Sequence, residues 1–455
     1  MHRPSRYRWL LAALIVLVAS TAFACNEKKS TPSTTTPGAT SDEPLPTVTP
    51  YTGEIVSPEE ILAKDGTATK EATIDWGFMF ELSGPPQVTG FGQPTSDGVK
   101  MAVEEINDAG GFQVGDTVYK INLIDRDTRS DIANTVAVAT ELVQDKKVNV
   151  IFGPATLGET EATQITQQAH VLHFCPCQER EKNALSSVEK AHGESQWAFQ
   201  TLLPYSLLIS QAAKNFEAEY PDFHSMALIC QNSVTGHDIC DRTRDAYAAE
   251  GVDIIGDIQY FPIGTTDYTP FLTNIKRAGD PDFLYNYDNP ENTPTIVRQA
   301  LQLGIGKLHL ETVPANLVRP LTGVPLTVPV SAGAAPRQAF MTTSQKAADF
   351  FEAYREYKGG ELPIANFVAL FTYDYAYMVA GAMQKAGTVD DTTAIAKALE
   401  TFHYNGVGED DLFFNTRHLA VHGTEPCTVI TDPVKGDPEV QITCTHNAPP
   451  LEAYR

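Results

Sequence analysis

The sequence predicts an α/β protein of two lobes, each a mostly parallel sheet flanked by helices, behind an export leader. Three observations predict it. Strand-like runs alternate with amphipathic helical runs from Thr73 onward. The alternation then repeats in a second half of similar size. About 380 residues follow the leader and its linker, enough for two separate cores.

Ile74-Asp75-Trp76-Gly77-Phe78-Met79-Phe80 reads as the first strand, broken by Ser83-Gly84-Pro85-Pro86. Val99, Ala102, Val103 and Ile106 recur at helical spacing, and Gly110-Gly111 ends that helix. Lys120 to Asp125 is a second strand. Asp131 caps a helix with Ile132, Val136, Ala139 and Val143 on one face. Val148 to Phe152 is a short buried strand ending at Gly153-Pro154, and Val171 to Cys175 is another after a helix. In the second half, strands are expected at 225–230, 253–261, 282–287 and 307–312. Helices are expected at 206–220, 241–250, 269–276 and 295–303, then at 347–357 and 366–386.

The amino terminus predicts export. Arg3, Arg6 and Arg8 precede the apolar run Trp9 to Val18, and small residues lead to Ala22-Phe23-Ala24-Cys25. The apolar run is too short for a spanning helix. A Cys directly after the cleavage site resembles a bacterial lipoprotein box, which implies a signal peptide over 1–24 and a lipid anchor on Cys25. Asn26 to Pro50 is rich in Ser, Thr and Pro and lacks aromatic residues. Such a segment cannot bury enough apolar surface to offset its ordering entropy, so 25–72 reads as a linker. Within it, Ser57-Pro58-Glu59-Glu60 looks like the start of one short helix.

The net charge is −24, and removing the leader removes three Arg and no acid. A chain this acidic is a poor partner for nucleic acid or anionic headgroups. Beyond Cys25 there are six cysteines, and export makes disulfides the first reading. Six cysteines allow fifteen pairings. Local pattern favours two. Cys427 and Cys444 flank the strands of a hairpin, and Cys230 ends an apolar strand with Cys240 in the helix after it. The second bridge would contribute on the order of 2–3 kcal/mol.

Six segments then carry a resemblance. These are Ser83-Gly84-Pro85 with Gly98, Ala102 and Ile106-Asn107; Asp125 and Asp127-Thr128; and Ala137 through Lys147 into Val150–Pro154. Later come Tyr373-Asp374-Tyr375-Ala376, Ala382 to Gly387, and Gly408 with Phe413-Phe414-Asn415. In this order they resemble type I periplasmic solute-binding proteins of the branched-chain amino acid class, over about Thr73 to Leu419. The resemblance implies two Rossmann-like lobes joined by a three-strand hinge. It divides the chain into an N-terminal lobe (73–200 and 327–402) and a C-terminal lobe (201–326 and 403–455). It implies a monomer that holds a small-molecule ligand between the lobes and delivers it to the permease and ATPase subunits of an ABC importer. It would work in the periplasm or at the outer cell surface, without a cofactor. The alternative is a sensing module of the same fold, acting through a separate partner.

The resemblance also carries over contact positions. The aromatic that packs on the ligand falls on Phe91. The carboxylate-gripping turn falls on Ala155, Thr156 and Leu157, and Leu157 stands where the family usually has a hydroxyl. The next gripping segment falls on Cys177 and Gln178. A second-lobe contact falls on Thr235, and Asp288 and Asn289 lie at the cleft rim. The family's ammonium-pairing acid falls near Val313-Pro314, where there is none, leaving Asp288, Glu311 or Glu81 as substitutes. The expected ligand is therefore a small polar or amphipathic molecule (amino acid, amide or small carboxylate).

Two other readings carry less. His173 and Cys175 would share one face of a strand, and their chemistry suits zinc or copper. Parallel strands are buried on both faces, however, so both residues read as core, and no metal is assigned. The chain has no G-x-x-x-x-G-K-[ST], H-E-x-x-H or G-x-S-x-G, and no catalytic residue is assigned.

Overall fold

The first sheet is built outward from one long strand. β1 (Lys70–Phe80) is exposed at its start and buried without a break from Trp76 to Phe80, as expected of a strand covered on both faces. The computed structural model describes residues 51–175, 197–201, 209, 212–213, 221–288, 292–311, 330–336, 345–363, 367–408, 410–414, 418, 420–422, 426–432 and 437–444. The leader, Cys25 and most of the linker therefore lie outside the described residues, as do Cys177, Gln178 and Asn289.

β2 (Phe112–Val114) pairs antiparallel with β3 (Thr117–Asp127) at one edge. β1 lies between β3 and β4 (Val150–Phe152), parallel to both, and β5 (Leu172–Cys175) and β6 (Ala198–Gln200) continue the parallel run. The second sheet has β7 (Ser225–Gln231) parallel to β8 (Asp253–Ile254), β9 (Gln259–Phe261) and β10 (Phe283–Tyr287). β11 (Leu308–Glu311) and β12 (Val330–Pro336) follow in parallel. β13 (Leu412–Phe414) and β14 (Ala420–His422) form a separate pair. β15 (Pro426–Asp432) and β16 (Asp437–Cys444) close the second sheet as an antiparallel hairpin against β12. Cys427 stands opposite Cys444 in that hairpin, the register expected from the sequence.

The described helices are α1 (Pro58–Leu62), α2 (Pro86–Asp108), α3 (Ile132–Thr140), α4 (Glu159–Gln168) and α5 (Val234–Ala249). They continue as α6 (Thr269–Ala278), α7 (Thr293–Leu303), α8 (Gln345–Tyr357), α9 (Phe367–Ala386) and α10 (Thr392–Leu399). None is long and apolar enough to cross a membrane. α9 is buried around nearly its whole circumference, and it packs along α2. Gly98 permits the contact, because a Cβ there would stand 2.0 Å from the Ala369 carbonyl oxygen. Thr372 then donates to the Thr95 carbonyl across the seam, at 2.8 Å.

Several expectations shift. α1 begins as predicted, with Ser57 and Glu60 capping each other's backbone N–H groups. Ile61 is fully buried in the first core, so the expected linker 25–72 includes ordered structure that belongs to the body. The buried face of α3 is Thr135, Val138 and Ala139, continued by Leu142 in a following π-helical turn. Ile132 is exposed, so the predicted face is rotated. The cause is Asp131, whose carboxylate accepts the Asn134 N–H and fixes the first turn with Ile132 outward. The expected strand 253–261 is two short strands.

The lobe boundaries shift as well. Tyr404, Leu412, Phe414 and Ala420 pack in the core of the first sheet, although 403–455 was expected with the second lobe. Asp374 on α9 holds that segment by accepting the Val407 and Gly408 N–H groups at 2.9 and 2.8 Å. Conversely β12, expected within the first lobe, is a strand of the second sheet. One disulfide joins Cys230 at the end of β7 to Cys240 on α5, as the sequence reading expects. Cys175 is disulfide-bonded as well.

Candidate functional site

In parallel sheets, ligand sites form beyond the carboxyl ends of the strands. In the first sheet those ends gather two acids and the turn after β4. β1 runs straight into Glu81, β3 ends at Asp127, and β4 leads into Gly153–Gly158 before α4. The register of β1 against β4 pairs Phe78 with Phe152, so the two chain segments leave the sheet side by side.

Glu81 turns into the loop after β4. Its Oε1 accepts the Thr156 N–H at 2.9 Å, the Leu157 N–H at 2.8 Å and the Thr156 hydroxyl at 3.1 Å. Its Oε2 accepts the Ala155 N–H at 3.0 Å. Three consecutive backbone donors converging on one carboxylate make an anion-binding nest. The Glu81 side chain is fully buried. Burial raises its carboxyl above the ordinary range, and the three N–H groups pull the other way. The turn is held from behind: Thr135 on α3 donates to the Leu157 carbonyl at 3.1 Å. Gly158, at φ +82°, has its Cα hydrogen against Thr135, where a Cβ would come within 2.9 Å of the Thr135 side chain.

Asp127 organises the neighbouring loop. It accepts the N–H groups of Leu82, Ser83 and Arg129 and the Ser83 hydroxyl, the last at 2.6 Å. Partial burial opposes the charge, but these donors outweigh it and hold the carboxyl below the usual range. Ser130 adds a hydrogen bond to the Ser83 carbonyl.

The second sheet has a matching acid at the ends of β7 and β10. Asp288 is 5% exposed and accepts from Gln231 Nε2 at 3.0 Å and from the Tyr268 hydroxyl at 2.9 Å. Burial, then the Asp288 charge, push the Tyr268 phenol far above its ordinary value.

The positions carried over from the resemblance fare unevenly. Ala155, Thr156 and Leu157 form one turn, and all three backbone N–H groups are engaged by Glu81. Phe91 is 8% exposed and packs edge-on to Phe367 within the first core. Thr235 lies on α5, and Asp288 lies on the other sheet. His173 is fully buried, with Nε2 2.6 Å from the Gly153 carbonyl and Nδ1 near Thr163 and Thr166. With Cys175 in a disulfide, the metal-like pair is structural. The sequence reading missed the pairing of Glu81 with the turn. The available signal was an acid directly after a buried strand with no basic residue beside it, which must find N–H donors elsewhere.

Two mostly parallel sheets with preorganised polar turns at their carboxyl ends are an α/β arrangement suited to holding a small solute. Residues 73–430 match the periplasmic binding protein family, and the chain belongs to that family. A Leu/Ile/Val-binding protein homolog 7 of Brucella abortus is 26% identical over 218 residues, 47% of this chain and 52% of the relative. The chain thus spans about half the length of the first curated relatives it matches. A homolog 3 from Brucella melitensis is 23% identical across 72% of this chain and 83% of the relative. Among solved structures, the branched-chain amino acid transporter substrate-binding protein LivJ of Streptococcus pneumoniae, in complex with isoleucine, superposes with a TM-score of 0.63. It is 25% identical and is covered completely by 82% of this chain. A solute-binding protein of Rhodopseudomonas palustris HaA2 in complex with p-hydroxybenzoic acid gives 0.65 at 18% identity, over 83% of this chain and 98% of its own.

Proposed function

We propose that this protein is an exported, lipid-anchored receptor that captures a small polar or amphipathic ligand between its lobes and hands it to an ABC importer. The observation that carries this reading is the pair of parallel sheets with hydrogen-bonded turns at their carboxyl ends, within a family of periplasmic binding proteins. The isoleucine and p-hydroxybenzoate complexes of its structural neighbours support an amino acid, amide or small acid as the ligand class. The leader and Cys25 support tethering to a membrane by lipid alone. The protein acts as a monomer and carries out no chemical step on what it binds.

Binding of this kind works by closure. Contacts to both lobes favour the closed state, and the closed surface is what a transporter recognises. Candidate contacts are Ala155, Thr156, Leu157 and Asp288, with Phe91 on α2. Cys177, Gln178, Thr235 and Asn289 complete the set expected from the resemblance.

A thermal-shift screen over amino acids, amides, short carboxylates and aromatic acids tests the proposal. A true ligand at about 100 times its dissociation constant should add roughly 2.7 kcal/mol of stability. A screen in which no compound raises the melting temperature, or in which a hit is chemically converted, would defeat it.

A further inference from the structure

We infer that the turn Ala155–Leu157 is an anion site already occupied from within by Glu81, so that this receptor refuses a free carboxylate there. The selectivity half of this inference rests on the receptor reading above; the internal occupancy does not.

Three observations carry it. The donors are complete: three backbone N–H groups and one hydroxyl, all within 3.1 Å, point at one carboxylate. None of the described Lys, Arg or His side chains forms an ion pair with Glu81, so these donors alone answer its charge. The approach is closed: a Cβ on Gly92 of α2 would stand 2.6 Å from the Glu81 carbonyl oxygen, 3.0 Å from its Cβ and 3.1 Å from Oε2. The helix therefore lies as near to Glu81 as a residue without a side chain allows, and Glu81 is fully buried beneath it.

The occupant is also tethered. Glu81 directly follows β1, whose register with β4 places it beside the turn. A ligand carboxylate would have to displace a group that cannot diffuse away. Sharing the turn would set two like charges side by side in a buried site, which strongly disfavours ionising both.

The test uses the exported protein, E81A and E81Q, with sodium formate as the probe and sodium chloride at equal ionic strength as the control. Truncation to Ala empties the nest, and formate should refill it. At about 100 mM, formate should raise the melting temperature of E81A by roughly 2–4 °C above chloride and leave the wild type unmoved. Equal stabilisation of both proteins, or of neither, overturns the inference. Should E81A fail to accumulate, E81Q and the wild type decide through matched ligand pairs, each an acid and its primary amide. The wild type should bind the amide at least as tightly as the acid, and E81Q should move that ratio toward the acid. A wild type that prefers the acid tenfold or more, with the ratio unchanged in E81Q, overturns the inference. The receptor reading fails separately, if no compound of any class shifts the wild type while formate still rescues E81A.

Discussion

Each sheet ends in a buried acid, and the two acids are held in opposite ways. Glu81, after β1, is gripped by backbone N–H groups from a turn that cannot move without disturbing α3, α4 and β4. Asp288, after β10, accepts from side chains that include the Gln231 amide and the Tyr268 hydroxyl. An amide can flip and a hydroxyl can rotate, so the second cluster can adapt to a change of charge or of partner. The first cannot. Within one molecule, the two acids therefore offer one rigid and one adaptable polar cluster.

The largest expected effect comes from breaking the rigid end. E81A leaves three backbone donors in a buried turn without an acceptor. It should cost about 2–4 kcal/mol in urea unfolding, with water entry limiting the loss. E81Q keeps an acceptor oxygen and should cost less than half as much. A loss under about 0.5 kcal/mol for E81A would mean the turn does not depend on its occupant.

Gly92 probes the same end from the helix side. G92A adds a Cβ that meets the Glu81 main chain, which cannot give way as a flexible side chain would. The helix gains propensity, so the net cost should be about 1–3 kcal/mol. An unchanged unfolding midpoint would show that α2 is not seated on Glu81.

How much of this could be read beforehand depends on the range of the signal. The strand-helix alternation was legible because periodicity is local, and so was the Cys427–Cys444 register, which a hairpin sets over a few residues. Ile132 went wrong because Val136, Ala139 and Val143 fit a helical stripe equally well. Only the Asp131 cap and the packing of Thr135 and Val138 decide which stripe turns inward. The membership of Tyr404, Leu412, Phe414 and Ala420 in the first core depends on Asp374 reaching the Val407 and Gly408 amides across more than thirty residues. The site itself was half legible. The turn at Ala155–Leu157 was found, and Glu81 was weighed as a partner for a ligand cation. That Glu81 fills the turn is a contact across 74 to 76 residues, and no local pattern encodes it.

The two sheets should also differ in their pH response. The Glu81 carboxyl is raised by burial from its ordinary 4.5, so the folded chain holds that proton more tightly than the unfolded one. Its contribution is present at low pH and is lost as pH rises through the raised value. Asp282, at the opposite end of the strand that leads to Asp288, behaves in reverse. Burial opposes its charge, yet Lys307, the His224 N–H and Ser225 outweigh burial and lower its pKa from 3.8 to about 2. Its contribution is full above about 4 and fades as pH falls toward 2. With Lys307 largely exposed, about 1–2 kcal/mol should disappear over that interval. D282N should flatten the acid limb of a stability-pH profile, and an unaltered limb would remove Asp282 from the account.

The smallest expected effect sharpens the comparison most. D288N removes the charge from the adaptable end. The Gln231 amide can turn its oxygen toward the new Asn Nδ2, and the Tyr268 hydroxyl still has the Asn oxygen to donate to. Both of these hydrogen bonds are recoverable, so the change in unfolding free energy should stay below about 1 kcal/mol. The Tyr268 phenol should fall toward its ordinary value as the neighbouring charge disappears, and ultraviolet titration can follow this. A loss as large as that of E81A would mean Asp288 is fixed as rigidly as Glu81. The two sheets would then present equivalent ends, and ligand discrimination could no longer be assigned to the first alone.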